Sequence, residues 1–254
     1  MDTVTEAHGV SIDIRGLRKA YNGHPVLNGI DLHVDAAEIM VIVGGSGEGK
    51  SVLLRHVAGL EPPDAGEIHL NGMPLQAYLD LPPERKPFRL SMVFQNAALL
   101  NSLTVGENVS LRLREHRTHP AHQIQRMVAS CLEQVELAGT EDKMPGELSG
   151  GMRKRVAIAR ALAVEPNLIL YDEPTADLDP ILTAEIGRLI KAIQERRGTT
   201  QVVVAHNLAL AREIGTHIAV LQQGRIVDSQ PADALARSTH PHTREFIRAA
   251  NLKL

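Results

Sequence analysis

The chain has 254 residues, room for one large domain or two small ones at roughly 150 residues per domain. Its 27 Lys and Arg against 30 Asp and Glu leave a formal net charge of -3, which excludes attachment to nucleic acid by bulk charge. Aromatic residues make up 2% with no Trp, which excludes stacking platforms for single strands, and the lone Cys131 excludes an intrachain disulfide or a multi-cysteine metal cluster and fits a reducing compartment.

From the N-terminus, Met1–Gly9 carries Asp2 and Glu6 and no apolar core, so no secretory signal is expected there. Val10, Ile12 and Ile14 alternate with polar residues, as do Ile30, Leu32 and Val34, the period of half-buried strands. Ile39–Val43 is continuously apolar, which predicts a central strand covered on both faces. Ile68 and Leu70 run into Asn71-Gly72, a hairpin signal. Pro82, Pro83 and Pro87, with charges around them, mark an exposed connection. Ile124, Met127, Val128, Cys131, Leu132 and Val135 recur at helical spacing, which predicts an amphipathic helix with Cys131 on its packed face. Leu168–Tyr171 reads as a short buried strand, and Asp179-Pro180 as a cap and first helical residue. Leu182, Ile186, Leu189, Ile190 and Ile193 form the next helical stripe, and Val202–Val204 a further buried strand. This order predicts a doubly wound α/β core with an antiparallel β portion at the start and a helical insertion over about 97–163, in one domain spanning 1–254. No uncharged apolar run approaches the ~18 to 20 residues of a membrane-spanning helix, so a soluble chain is expected.

After the Ile39–Val43 run comes Gly44-Gly45-Ser46-Gly47-Glu48-Gly49-Lys50-Ser51, the pattern G-x-x-x-x-G-K-S/T. Glycines let backbone N–H groups turn toward phosphate oxygens, and the N-terminus of the following helix adds its dipole. Lys50 is placed to reach the β and γ phosphates and Ser51 to ligate Mg²⁺, so these eight residues predict a nucleoside triphosphate site. Glu48 puts a negative charge into that loop and would weaken ATP binding unless its side chain points outward. Further on, Asp172 ends a buried strand, where it can orient Mg²⁺ through water, and Glu173 beside it is suited to polarise an attacking water as general base. His116, His119 and His122 lie close in sequence, but Pro120 interrupts any shared helix and no carboxylate or Cys completes a set, so a solvated loop is expected there.

Between these elements, Leu148-Ser149-Gly150-Gly151-Met152 resembles the signature motif of ABC (ATP-binding cassette) ATPases, and the resemblance covers nearly the whole chain. Tyr21 resembles the aromatic residue that stacks on adenine, and Gln95 in Met92-Val93-Phe94-Gln95 the Q-loop glutamine that senses Mg²⁺ and the γ-phosphate. Leu178-Asp179 resembles the D-loop, and His206 after Val202-Val203-Val204-Ala205 the switch histidine. The resemblance implies an ABC-type P-loop ATPase fold with a RecA-like core, an antiparallel β portion and a helical subdomain. It implies ATP and Mg²⁺ as cofactors, with Glu173, His206, Gln95 and Lys50 as catalytic residues and Ser51, Gln95 and Asp172 about the metal. Tyr21, Ser149, Gly150 and Gly151 join the phosphate loop in holding nucleotide, the last three from a second copy. A head-to-tail homodimer burying two nucleotides is thereby implied, closed by ATP and released by hydrolysis.

The continuation Met152-Arg153-Lys154-Arg155, with Gly44-Gly45-Ser46-Gly47 and Ser51-Val52-Leu53-Leu54, Phe94-Gln95-Asn96-Ala97-Ala98-Leu99 and Ser102–Val109, resembles the MlaF-type ATPases of MCE-associated (Mla) phospholipid transport systems. That resemblance implies an integral membrane permease, an MCE-domain substrate-binding protein and a STAS-domain regulator as partners, no nucleic acid, and a place on the cytoplasmic face of the inner membrane. The sequence ends at Leu254 without the long C-terminal tail that some relatives use to reach a neighbouring subunit, which leaves regulation by a STAS-domain partner open. The ATPase of another ABC importer or exporter stays open as the alternative, as does a non-transport ABC ATPase, although no sustained heptads lie between Ser51 and Leu148. The segment Asn96–Val109, with apolar Leu99, Leu100, Leu103 and Val105, is expected to dock the permease. The basic Arg153–Arg155 triplet is expected to form an exposed, solvated face. Asp177, where a glycine is usual, and Ala205 and Asn207 beside His206 depart from the family pattern.

Overall fold

The computed structural model describes residues 9–115 and 119–249. The alternating segments at the start form β1 (Ile12–Tyr21) and β2 (His24–Val34), joined antiparallel through Asn22 and Gly23, both at positive φ as a tight hairpin turn demands. The apolar run is β3 (Ile39–Val43), and α1 (Lys50–Val57) follows it after the glycine-rich loop. β4 (Ala65–Leu70) and β5 (Met73–Pro74) pair through the turn at Asn71-Gly72, so the first sheet has the order β2-β1-β4-β5. A short helix not expected from periodicity, α2 (Leu75–Asp80), precedes the exposed proline segment and β6 (Leu90–Val93).

Three helices then intervene before the next strand: α3 (Val105–Glu115), α4 (Ala121–Gln134) and α5 (Gly150–Leu162). They form the helical subdomain, and Val128, Cys131 and Leu132 are the buried face of α4, as the spacing predicts. β7 (Leu168–Asp172) returns the chain to the core, followed by α6 (Pro180–Arg197), β8 (Thr200–Ala205), α7 (Leu208–Ile214), β9 (His217–Gln222), β10 (Arg225–Pro231) and α8 (Pro241–Ala249). Asp179 caps α6 by accepting hydrogen bonds from the Ile181 and Leu182 amides at 2.8 and 2.9 Å, with Pro180 at the first helical position.

The second sheet has the order β10-β9-β3-β8-β7-β6, parallel except for the antiparallel edge strand β10. Every residue of β3, β7 and β8 is buried, because side chains of alternate parity meet different layers. Ile39, Val41 and Val43 pack with α5, α6 and α7, whereas Met40 and Ile42 pack with α1 and the antiparallel sheet. The architecture agrees with the expectation: a mostly parallel core sheet, an antiparallel sheet on one side and the helical subdomain inserted between β6 and β7. Among the described residues, no helix is long and apolar enough to cross a membrane.

Candidate active site

Register brings the chemistry together. Val43 of β3 pairs with Ala205 of β8, Val204 of β8 with Asp172 of β7, and Tyr171 of β7 with Val93 of β6. The carboxyl ends of these parallel strands are therefore level, and Gly44, His206, Glu173 and Gln95 all leave from one edge of the sheet. Open α/β sheets bind ligands outside the carboxyl ends of their strands.

A Cβ on Gly44 would collide with the Leu221 carbonyl, and Gly49 has φ 98 at the N-cap of α1, so both positions need glycine. Lys50, 4% exposed, donates from Nζ to the carbonyls of Gly44 (3.0 Å) and Gly45 (2.8 Å) and lies 3.6 Å from Glu173 Oε1. Ser51 Oγ donates to Asp172 Oδ1 at 2.6 Å. Burial pushes the Asp172 carboxyl above its ordinary range; the Ser51 hydrogen bond opposes that rise and the neighbouring Glu173 charge adds to it. Glu173 has φ 44 and donates its amide to the Val204 carbonyl at 3.1 Å, which turns its side chain across the strand end. Its Oε2 lies 3.3 Å from His206 Nδ1, so Glu173 stands between Lys50 and His206. The hydroxyl of Ser51 and the buried Asp172 carboxylate are hard oxygen donors, a set that fits Mg²⁺ beside a glycine cradle that fits phosphate.

The Glu48 carboxylate accepts the backbone N–H of Gln223 in the β9–β10 turn through Oε2, which ties the charge to that turn, while Oε1 would lie 3.7 Å from a Cβ on Gly45. Tyr21, at the end of β1 and 37% exposed, donates its hydroxyl to Glu61 Oε1 at 2.6 Å, with Lys19 Nζ 5.6 Å from the ring centre. The same hairpin reaches the phosphate loop, for a Cβ on Gly49 would lie 3.0 Å from the Val26 carbonyl. Asp177 occupies the left-handed region at φ 63, where glycine is most at ease and Asp is among the better tolerated substitutes. Asn207 caps α7 by accepting from the Leu210 amide at 3.1 Å.

Ser149 is the N-cap of α5, its Oγ accepting from the Met152 amide at 3.2 Å, and Ser149 and Gly150 are exposed while Gly151 is buried. Among the described residues no hydrogen bond or ion pair joins Ser149–Gly151 to Gly44–Ser51. One site therefore gathers Lys50, Ser51, Asp172, Glu173 and His206, while Ser149 and Gly150 are exposed apart from it. Gln95 is exposed, and its backbone carbonyl accepts Lys154 Nζ from α5.

That contact corrects the expectation of a solvated basic triplet. Arg153 is exposed, but Lys154 is buried and Arg155 pairs with Glu136 at 2.7 Å and Glu185 at 2.9 Å. The missed signal is spacing: Lys154 lies three residues after buried Gly151 and four before buried Ile158, on the packed face of α5. The docking segment is likewise only partly exposed. Val105 is buried, Leu99 packs on the core and Leu103 is half-buried, which leaves Leu100, 46% exposed, while Phe94, 37% exposed, precedes the segment. Among the described residues no three His, Cys, Asp or Glu could share a metal ion, and His116 lies outside those residues.

A family profile described as "ABC transporter" matches residues 27–176. The chain is 35% identical over 246 residues to "Probable ribonucleotide transport ATP-binding protein mkl" of Mycobacterium leprae, covering 96% of this chain and 70% of that protein. It is 38% identical over 244 residues to the L-cystine transport system ATP-binding protein TcyN of Escherichia coli, covering 93% and 97%. Among solved structures, the dimeric post-hydrolysis state of an ATP-binding cassette bound to ADP and Pi superposes with a TM-score of 0.77 at 31% identity, covering 87% of this chain and 98% of that one. The cbiO1 protein from Clostridium perfringens, part of the cbiONQ transporter complex, superposes with a TM-score of 0.79 at 28% identity, covering 96% and 95%.

Proposed function

The chain belongs to the ABC transporter family of ATP-hydrolysing cassettes, with ATP and Mg²⁺ as its cofactors, and from that premise we propose that it powers a membrane permease as one half of a head-to-tail homodimer. The observation that carries the reading is Glu173, held 3.6 Å from Lys50 and 3.3 Å from His206, beside an Asp172 bonded to Ser51. In this reading the amides of Gly44–Gly49 and the Lys50 ammonium bind the β and γ phosphates. Ser51, Asp172 and Gln95 hold Mg²⁺, which when bound offsets negative charge on those phosphates. Phosphate oxygens compete with Glu173 for Lys50, so nucleotide binding frees Glu173 to accept a proton from the attacking water while His206 holds its other oxygen. The Tyr21 ring stacks on adenine, and the exposed Ser149–Gly151 end of α5 clamps the γ-phosphate held by the partner's loop. Residues 1–254 act as one cassette with its helical subdomain over about 97–163, and Leu100 with Phe94 supplies the apolar contact for the permease.

The test is Glu173→Gln, which retains ATP binding, loses turnover by about 10²- to 10⁴-fold and accumulates a nucleotide-bridged dimer. Hydrolysis at the wild-type rate by this variant removes Glu173 from the role of general base. Lys50→Ala instead weakens nucleotide binding itself.

For the cargo the reading is phospholipid in an Mla-type system, at the cytoplasmic face of the inner membrane, with an MCE-domain protein and a STAS-domain regulator as further partners. Its support is the run Ser149-Gly150-Gly151-Met152-Arg153-Lys154-Arg155 and the Phe94–Leu99 stretch. The names of the relatives, one for ribonucleotide and one for L-cystine, favour a second reading in which a different solute is moved. Purification from detergent-solubilised membranes separates the two: an MCE-domain protein beside the permease supports the first, and a soluble solute-binding protein in its place supports the second. Recovery with ribosomes or DNA overturns both.

A further inference from the structure

The inner face of α5 carries two cations whose donors end on the backbone just after β6. Lys154, 7% exposed, donates from Nζ to the Gln95 carbonyl. Arg160 donates to the carbonyls of Ala97 at 2.7 Å and Ala98 at 2.6 Å. Ala97 and Ala98 stand at φ 59 and φ 47, in the left-handed region that costs a non-glycine residue about 1–2 kcal/mol. A loop in that conformation keeps its shape only where its surroundings hold it, and here the side chains that bond its Gln95, Ala97 and Ala98 carbonyls come from one helix. Lys154 lies five residues beyond Ser149, about 7.5 Å along the axis of α5. Burial lowers the pKa of its ammonium, and the charges of Asp177, Glu173 and Asp172 oppose that fall.

Resting on the reading of Gln95 as the residue that meets Mg²⁺ and the γ-phosphate, we propose that Lys154 is its positioning residue. The bond to the Gln95 carbonyl fixes the peptide from which that side chain springs, and makes the Q-loop and the signature helix move as one body. The observation behind this is a buried ammonium bonded to a loop carbonyl, with Arg160 holding the next two peptides. A buried ammonium without such a partner would be strongly unfavourable, so the bond persists while the helix stays packed. Displacement of the loop by a docked partner therefore reaches Ser149 through α5, and displacement of Ser149 by a nucleotide reaches the loop.

The test uses the full chain as wild type, Lys154→Met, Gln95→Ala and the double variant, with Lys154→Arg as the conservative rescue. Lys154→Met keeps the length of the side chain and removes its charge and donors. Its kcat falls about tenfold or more, the cost of a catalytic group displaced by a fraction of an ångström to one ångström. Amide hydrogen exchange over residues 94–100 in the nucleotide-free chain accelerates, and binding of a fluorescent ATP analogue in EDTA stays within about twofold of wild type. Lys154→Arg restores both kcat and exchange. Adding Lys154→Met to Gln95→Ala lowers kcat no further, because the side chain being positioned is already gone.

A Lys154→Met variant with wild-type kcat and exchange, alongside a Gln95→Ala variant with lowered kcat, overturns the proposal and leaves the reading of Gln95 standing. Additive losses in the double variant also overturn it, since Lys154 would then act by another route. Wild-type hydrolysis by Gln95→Ala sinks the reading of Gln95 and the proposal with it. Should Lys154→Met melt too low for assay, Lys154→Leu, which likewise has no charge and no donor, enters the same comparisons.

Discussion

Glu48 sits among amides suited to phosphate, yet its carboxylate accepts the Gln223 amide in a turn that is itself tied to β2, since Asn28 donates to the Gly224 carbonyl at 2.8 Å. The charge is thus anchored to the β9–β10 turn. Glu48→Ala is expected to leave ATP affinity within about threefold and to lower stability by about 1 kcal/mol, read by isothermal titration and thermal melting. Binding tightened by about tenfold, 1.4 kcal/mol, would show instead that the carboxylate faces the phosphates. Cys131 makes a separate case at this scale. Burial pushes its thiol from 9.0 up to about 11, so the folded chain favours the neutral form. The sign follows from linkage: that contribution is complete below the unfolded thiol's range and is lost as pH rises through about 11. Iodoacetamide at pH 8 should therefore label Cys131 slowly in the folded chain and quickly in urea. Equal rates in both would place the thiol outside the core.

Much of the element pattern is legible in the sequence, for physical reasons that differ by position. β3, β7 and β8 are buried on both faces and read as unbroken apolar runs, while α4 and α6 carry long 3.6-period stripes. The short elements are less legible. α2 and α7 span six and seven residues, too few for a period to show, and β9 and β10 depend on pairing with one another and with β3. In the site, Lys50, Ser51, Asp172 and Glu173 follow from local spacing, whereas the inward turn of Lys154 depends on α3, α4 and the Q-loop covering α5. The segment proposed to dock the permease illustrates the same dependence. Asn108, fully buried, bonds the Leu100 amide at 2.8 Å and donates to the carbonyls of Leu100, Leu103 and Thr104, so the loop that presents Leu100 is built from α3. Asn108→Ala should cost about 2–4 kcal/mol because it strands several backbone groups, a drop that chemical denaturation would register. Leu100→Asp, in contrast, should leave the melting temperature unchanged and abolish co-purification with the permease. Retained co-purification would move the docking surface elsewhere.

At the scale of the whole molecule, the six-stranded sheet gathers Lys50, Ser51, Asp172, Glu173 and His206 at one edge, and the proposed reading takes the other half of the site from the exposed N-terminus of α5 in a different chain. In that proposal the dimer closes on ATP, each γ-phosphate meeting Lys50 from one protomer and Ser149 from its partner. ATP hydrolysis by a mixed dimer of one Ser149→Arg chain and one Lys50→Ala chain tests this most directly. One composite site stays intact in that dimer, so hydrolysis should stand well above either variant homodimer. Activity no higher than the homodimers, with the mixed dimer shown to form, would mean that Ser149 serves the phosphate loop of its own chain and would contradict the account.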